Sequence, residues 1–223
     1  MKYNTMITAH TGADGTPDNS LEYVRYALTT PADAFEIDIR DRGDGALVLT
    51  HDLADDGLVP LLSEALELAG KVPAMRINFD HKEPGLSAPL FRLLQEYGME
   101  KRAIWSGSVD LPFLRECPDV LRDVEVFLNL EEIVENLYFN YREIPDFDVT
   151  AAERAIAVCR ETGIRVVNVN HILVTRRLIE LLREEKIGVS AWTVNDLPDM
   201  EYFLTHEIYN ITTRRPKVLF ERF

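Results

Sequence analysis

Short apolar runs and segments of helical spacing alternate from one end of the chain to the other. The runs predict strands at 6–10, 34–39, 75–80, 103–106, 124–128, 165–169, 188–193 and 208–212. Between 175 and 186, Leu178, Ile179, Leu181 and Leu182 share one helical face, and Gly188 just beyond reads as a stop signal. Leu90, Phe91, Leu93, Leu94 and Tyr97, closed by Gly98, predict a second helix. Asn19, with Glu22 following it, reads as a capping box that opens a third helix through Ala27. One additional run, Leu47 to His51, follows Ile39 after a turn built on Gly43, Asp44 and Gly45. That connection is too short for a helical crossover, so it predicts an antiparallel hairpin that returns His51 toward the preceding strand. The strand–helix repeats predict an α/β protein, a (β/α)8 TIM barrel, with a doubly wound open sheet as the alternative. No linker or low-complexity tract divides the chain, which predicts one domain over 1–223.

Composition narrows the function classes. Of 223 residues, 46% are apolar, enough to offset the chain entropy lost on folding and to exclude a disordered chain. The net charge of −14 argues against nucleic acid and against docking on an anionic membrane, and leaves small-molecule substrates open. Cys117 and Cys159 are too few and too isolated for a disulfide framework or a zinc site and read as free thiols. No run approaches the ~20 apolar residues of a membrane span, and residues 1–10 lack the apolar core of a signal peptide. The expectation is a cytoplasmic protein without a transmembrane segment; a homodimer is left open.

Chemistry is signalled where polar residues interrupt apolar strands. In Phe35-Glu36-Ile37-Asp38-Ile39, alternation sends Phe35, Ile37 and Ile39 to the helices and Glu36 and Asp38 to the barrel interior. Two carboxylates so close need a cation between them or pair with Arg or Lys of neighbouring strands. The next strand repeats the pattern, with Arg76, Asn78, Asp80 and Lys82 on one face. Three hard oxygen ligands from Glu36, Asp38 and Asp80 suit a divalent metal, Mg²⁺ or Ca²⁺, better than Zn²⁺, and Lys82 would place positive charge beside it for a phosphate. His10 and His51 both end strands at the same mouth, as a general acid and base pair would. His81, His171 and His206 lack that context and read as structural or solvent-facing. Trp192 is either core or a wall of the substrate pocket, and Trp105 carries the same ambiguity.

Taken in order, His10-Thr11-Gly12, Pro17-Asp18-Asn19, Glu36-Ile37-Asp38, Asp44-Gly45 and His51-Asp52 resemble a known series. It is the His-Arg-Gly, Pro-Glu-Asn, Glu-x-Asp, Asp-Gly and His-Asp series of the glycerophosphodiester phosphodiesterases, within the phosphatidylinositol-phospholipase-C-like barrel group. Asn78-Phe79-Asp80-His81-Lys82 is similar to that family's Asn-x-Glu-x-Lys strand, Ser106 to its Ser near the fourth strand end, Trp192-Thr193-Val194-Asn195 to its Trp-Thr-Val-Asn strand, and Ile211-Thr212 with Pro216 to its last strand. The resemblance implies a metal held by Glu36, Asp38 and Asp80, phosphate contact by Lys82, and acid/base work by His10 as base and His51 as acid. Thr11, Asn19 and Trp192 join the expected substrate-binding surface.

Three departures stand out. Thr11 replaces the family's Arg, which removes a phosphate-binding cation, since a hydroxyl cannot supply bidentate charge. Asp80 replaces the usual Glu and is one methylene shorter; the related spider-toxin-type phospholipases also have an Asp-x-Lys strand. The segment 52–59 is far shorter than the family's insertion, which would open the mouth, and the loop 139–149 would cover it from the other side. The expected function is metal-dependent hydrolysis of a glycerophosphodiester to glycerol 3-phosphate and an alcohol. The alternatives are a phospholipase D or lyase that forms a cyclic phosphate from a lysophospholipid or another polyol phosphodiester, and a barrel that binds a phosphorylated ligand without turnover.

Overall fold

All eight expected parallel strands form, and the computed structural model, which describes residues 4–53 and 59–223, closes them into a ring. In chain order the strands are β1 Met6–Ala9, β2 Ala34–Asp41, β3 Leu47–Leu49, β4 Arg76–His81, β5 Ala103–Gly107, β6 Glu125–Asn129, β7 Val166–Asn170, β8 Gly188–Trp192 and β9 Asn210–Thr213. β1 pairs in parallel with both β2 and β9, so the sheet closes on itself. Closure excludes the doubly wound alternative, whose sheet keeps two edges. β3 is the expected hairpin strand, antiparallel to β2 with Leu49 opposite Ile39.

The helices are α1 Leu21–Ala27, α2 Leu62–Ala69, α3 Ser87–Tyr97, α4 Leu111–Glu116, α5 Leu137–Glu143, α6 Phe147–Thr162, α7 Arg176–Glu184, α8 Leu197–Thr205 and α9 Pro216–Arg222. Among the described residues, no helix is long and apolar enough to cross a membrane. Alternation along the strands produces two cores. Phe35, Ile37, Ile39, Phe79 and Trp105 are fully buried in the main core, with Leu66 of α2 and Leu90 of α3. Inside the barrel, Ala34, Ile104, Phe127 and Val166, with Met6 against them, form an apolar plug toward the N-terminal end. A polar layer also crosses the barrel, where Thr8 Oγ1 donates to Asn210 Oδ1 (2.8 Å) and Asn210 Nδ2 to Ser190 Oγ (2.9 Å). The C-terminal mouth is left for chemistry.

Three sequence expectations need correction, and one open reading, that of Trp105, is resolved. The cap of α1 is Ser20, whose Oγ accepts from Tyr23 N at 3.0 Å, because the Asn19 side chain is committed to the site described below. Gly188 does not stop α7; it opens β8, where a Cβ would come within 2.8 Å of Tyr209, and the left-handed turn is made by Lys186. Residues 139–149 are not one loop: 139–143 belong to α5 and 147–149 to α6, with only a turn at 144–146 between them. Trp105 is core, fully buried in edge-on contact with Phe91 and His81. Of the short segment 52–59, residues 54–58 lie outside the described residues.

Candidate active site

Strand register sets the acidic cluster. Glu36 lies opposite Asn78 and Asp38 opposite Asp80, so alternation on β2 and β4 brings all three carboxylates to the barrel interior. One ligand atom from each of Glu36, Asp38 and Asp80 lies within 4.8 Å of the others. Neighbouring groups hold each carboxylate in place. Glu36 Oε2 accepts from Thr11 N (2.9 Å), Asp38 Oδ2 from Asn19 Nδ2 (2.6 Å), and Asp80 Oδ1 from Ser106 Oγ (2.6 Å). Asn19 also accepts from Asp38 N (3.0 Å) and from Thr11 Oγ1 (3.2 Å), which ties the β1 loop to β2.

Lys82 Nζ lies 2.8 Å from Asp38 and 2.5 Å from Asp80. Burial works against the Lys82 charge, yet Asp80 and Asp38 outweigh it and raise its pKa. Burial likewise works to raise Asp38, but Lys82 and the Asn19 hydrogen bond hold it below the ordinary carboxylate range. Glu36 lacks that partner: burial first, then repulsion from Asp38 and Asp80, push it well above its ordinary value. One ammonium therefore balances two of the three carboxyls, and the third, buried Glu36, is left to favour its neutral form. That donor set fits a hard divalent cation, which would let all three ionise.

The two histidines approach from the β1 side. His10 Nδ1 hydrogen-bonds the Thr11 carbonyl at 2.8 Å; because a carbonyl only accepts, the proton sits on Nδ1 and leaves the Nε2 lone pair free. Burial is the main cause that lowers the His10 pKa and favours that neutral form. His51 is exposed at the rim, its Nδ1 2.9 Å from Asp52 Oδ1, and the bond from Thr50 N to Asp38 O (3.1 Å) brings it beside the carboxylates. Trp192, at the end of β8, lines the same mouth with its indole Nε1 unpartnered.

Every residue singled out from sequence, His10, Thr11, Asn19, Glu36, Asp38, His51, Asp80, Lys82 and Trp192, lines one cavity of about 500 Å³. The cavity also contains residues that sequence reasoning missed: Asn129, Glu131, Asn168 and Arg214. The Asn168 Oδ1 is buried without a partner, while its Nδ2 donates to Asn129 Oδ1 at 2.9 Å. Asn168 alternates with apolar neighbours in Val166-Val167-Asn168-Val169, the same signal that revealed Glu36 and Asp38, but without charge to draw attention.

No family model matches the chain. A glycerophosphodiester phosphodiesterase of Arabidopsis thaliana is 22% identical over 96% of this chain and 71% of its own length. A glycerophosphodiester phosphodiesterase of Caldanaerobacter subterraneus subsp. tengcongensis is 24% identical over 96% of both chains. Among solved structures, an Oleispira antarctica phosphodiesterase in complex with the product sn-glycerol-3-phosphate superposes with a TM-score of 0.75 at 18% identity, over 97% of this chain and 95% of that one. These comparisons bear out both the barrel fold and the resemblance drawn from the motif series.

Proposed function

We propose that this chain, as one domain, is a metal-dependent phosphodiesterase that hydrolyses glycerophosphodiesters to glycerol 3-phosphate and an alcohol. The observation that carries the reading is the junction of three carboxylates, two of them buried, with Lys82 and His10 in one cavity. Glu36, Asp38 and Asp80 would hold Mg²⁺ or Ca²⁺, which would supply Lewis-acid stabilisation of the charge on the phosphate. Lys82 reaches those oxygens from the same side. His10 Nε2 takes the proton of an attacking water as its oxygen bonds to phosphorus, and the bond from phosphorus to the alcohol oxygen breaks. His51 gives that oxygen its proton. Thr11 and Asn19 act through the carboxylates they hold, and Trp192 offers an apolar wall and an indole N–H to the substrate. The reading includes a cytoplasmic setting, supported by the two free thiols, and leaves a homodimer open.

A second reading, a lysophospholipid substrate, has one observation in its favour: exposed Phe139, Ile172 and Leu197 lie in segments that follow barrel strands, and exposed Leu53 follows the hairpin strand β3. Phosphorus NMR with glycerophosphocholine, glycerophosphoethanolamine and lysophosphatidylcholine, in Mg²⁺, Ca²⁺ or EDTA, tests both. Glycerol 3-phosphate formed from the first two only with metal, and absent for His10→Ala, is the expected result. A cyclic phosphate would mean that the substrate's own hydroxyl attacks, and no product from any substrate would overturn the hydrolase reading.

A further inference from the structure

The cavity is lined by six carboxyl groups, from Asp18, Glu36, Asp38, Asp80, Glu131 and Glu132, and among the described residues its only lysine or arginine side chains are Lys82 and Arg214. A phosphodiester anion entering such a bowl is repelled unless cations face it. Lys82 is engaged by Asp38 and Asp80. Thr11, where the resembling family has Arg, is 1% exposed, and its hydroxyl and amide are spent on Asn19 and Glu36.

Arg214 comes from the opposite end of the chain. It follows β9, and the pairing of β9 with β1 carries it to the loop that begins at His10, where His10 N donates to Thr213 O (2.8 Å). Its backbone is pinned on both sides: Arg214 N donates to Asn195 Oδ1 (2.9 Å), and Asp14 N donates to Arg214 O (2.8 Å). Its Nη1 donates to Asp18 Oδ1 at 2.7 Å. This ion pair lies directly over Gly12, which has φ +72°; a Cβ there would come within 2.0 Å of Asp18 Oδ1 and 2.7 Å of Arg214 Nη1. Gly12 therefore lets the guanidinium settle against the backbone next to Thr11 and His10. Asp18 engages one of five N–H donors, and the others remain for a planar, bidentate grip on phosphate.

We propose that Arg214, positioned by Asp18 over Gly12, supplies the phosphate-binding cation that Thr11 cannot. The proposal rests on the phosphodiesterase reading, and the experiment separates the two. Steady-state rates on glycerophosphocholine with saturating metal, and inhibition constants for inorganic phosphate and for glycerol, are measured for wild type, Arg214→Ala, Arg214→Gln and Arg214→Lys. Loss of a charge-assisted hydrogen-bond pair predicts kcat/KM lower by about 10- to 100-fold in the Ala and Gln variants. The phosphate inhibition constant rises in parallel, the glycerol constant stays unchanged, and the Lys variant recovers part of the loss. Phosphate and glycerol constants that move together, alike in all three variants, would assign Arg214 a structural role and overturn the proposal. Equal phosphate inhibition in wild type and Arg214→Gln, with wild type active, overturns the role of Arg214 and leaves the phosphodiesterase reading standing. An inactive wild type that is still inhibitor-responsive in binding assays, with phosphate affinity lost in Arg214→Gln, overturns the phosphodiesterase reading and keeps the cation site.

Discussion

Glu131 ought to make this protein less stable as pH rises from about 4.5 to about 7. It lies in the single turn Leu130–Glu132 after β6, lines the cavity, and leaves Oε2 buried without a partner. Burial is the main cause that raises its pKa from 4.5 to about 7, with repulsion from Asp80 and Glu132 adding to it against the lowering effects of its own backbone and Tyr138. Between those two values the folded chain holds a proton that the unfolded chain releases, so unfolding free energy falls with rising pH and levels off above about 7. At about 1.4 kcal/mol per pH unit the full effect is about 3 kcal/mol. Glu131→Gln keeps the shape and removes the ionisation. Its stability relative to wild type should be near zero at pH 4.5 and should grow to about 3 kcal/mol by pH 8. Urea denaturation of both proteins at pH 4.5, 6 and 8, in EDTA so that no metal alters the field at Asp80, reads this directly. A difference that is constant across the three values, or that shrinks as pH rises, would refute the argument from burial.

Two further predictions are simpler. Mg²⁺ or Ca²⁺ at about 100 times its dissociation constant should stabilise wild type by roughly 3 kcal/mol, read as a rise in melting temperature, and Glu36→Gln should abolish the rise. Phe79→Ala, at a fully buried position on the helix side of β4, should cost about 3–5 kcal/mol in urea denaturation while leaving the order of metal preference unchanged.

What the sequence revealed and what it hid follow from the range of the forces involved. Glu36, Asp38, Asp80 and Lys82 were legible because strand alternation is local: a charge between apolar neighbours states its own direction. The barrel was legible for the same reason, repeated eight times, and strand ends were off by only one or two residues. Arg214 was not legible, because its contact with Asp18 spans 196 residues and exists only once β9 has closed on β1. Asn19 carries the local signature of a cap because Asx residues favour that role; three hydrogen bonds to Thr11 and Asp38 redirect it, and Ser20 takes the cap instead. Trp105 was ambiguous because an aromatic at a strand end fits either face, and the register with Phe79 sends it to the helices.

The placement of the two histidines follows from unequal strand lengths. β2 runs for eight residues, while β1 has four and pairs only with Ala34 and Phe35 before the chain turns away at His10. That turn leaves the upper part of the β2 edge without its neighbour, and unpaired backbone groups at a barrel mouth demand partners. β3 supplies them: it pairs with Ile39, Arg40 and Asp41, and Thr50 N then donates to Asp38 O. His10 thus arrives from below, level with Glu36 and 3.7 Å from it, while His51 descends from above toward Asp38. Both meet the same edge of the strand that carries the carboxylates. Their separation is set by two backbone ladders on one strand, so two imidazoles flank the acidic cluster on backbone-anchored supports even though His51 itself is exposed to solvent, the placement that the proposed acid and base roles require.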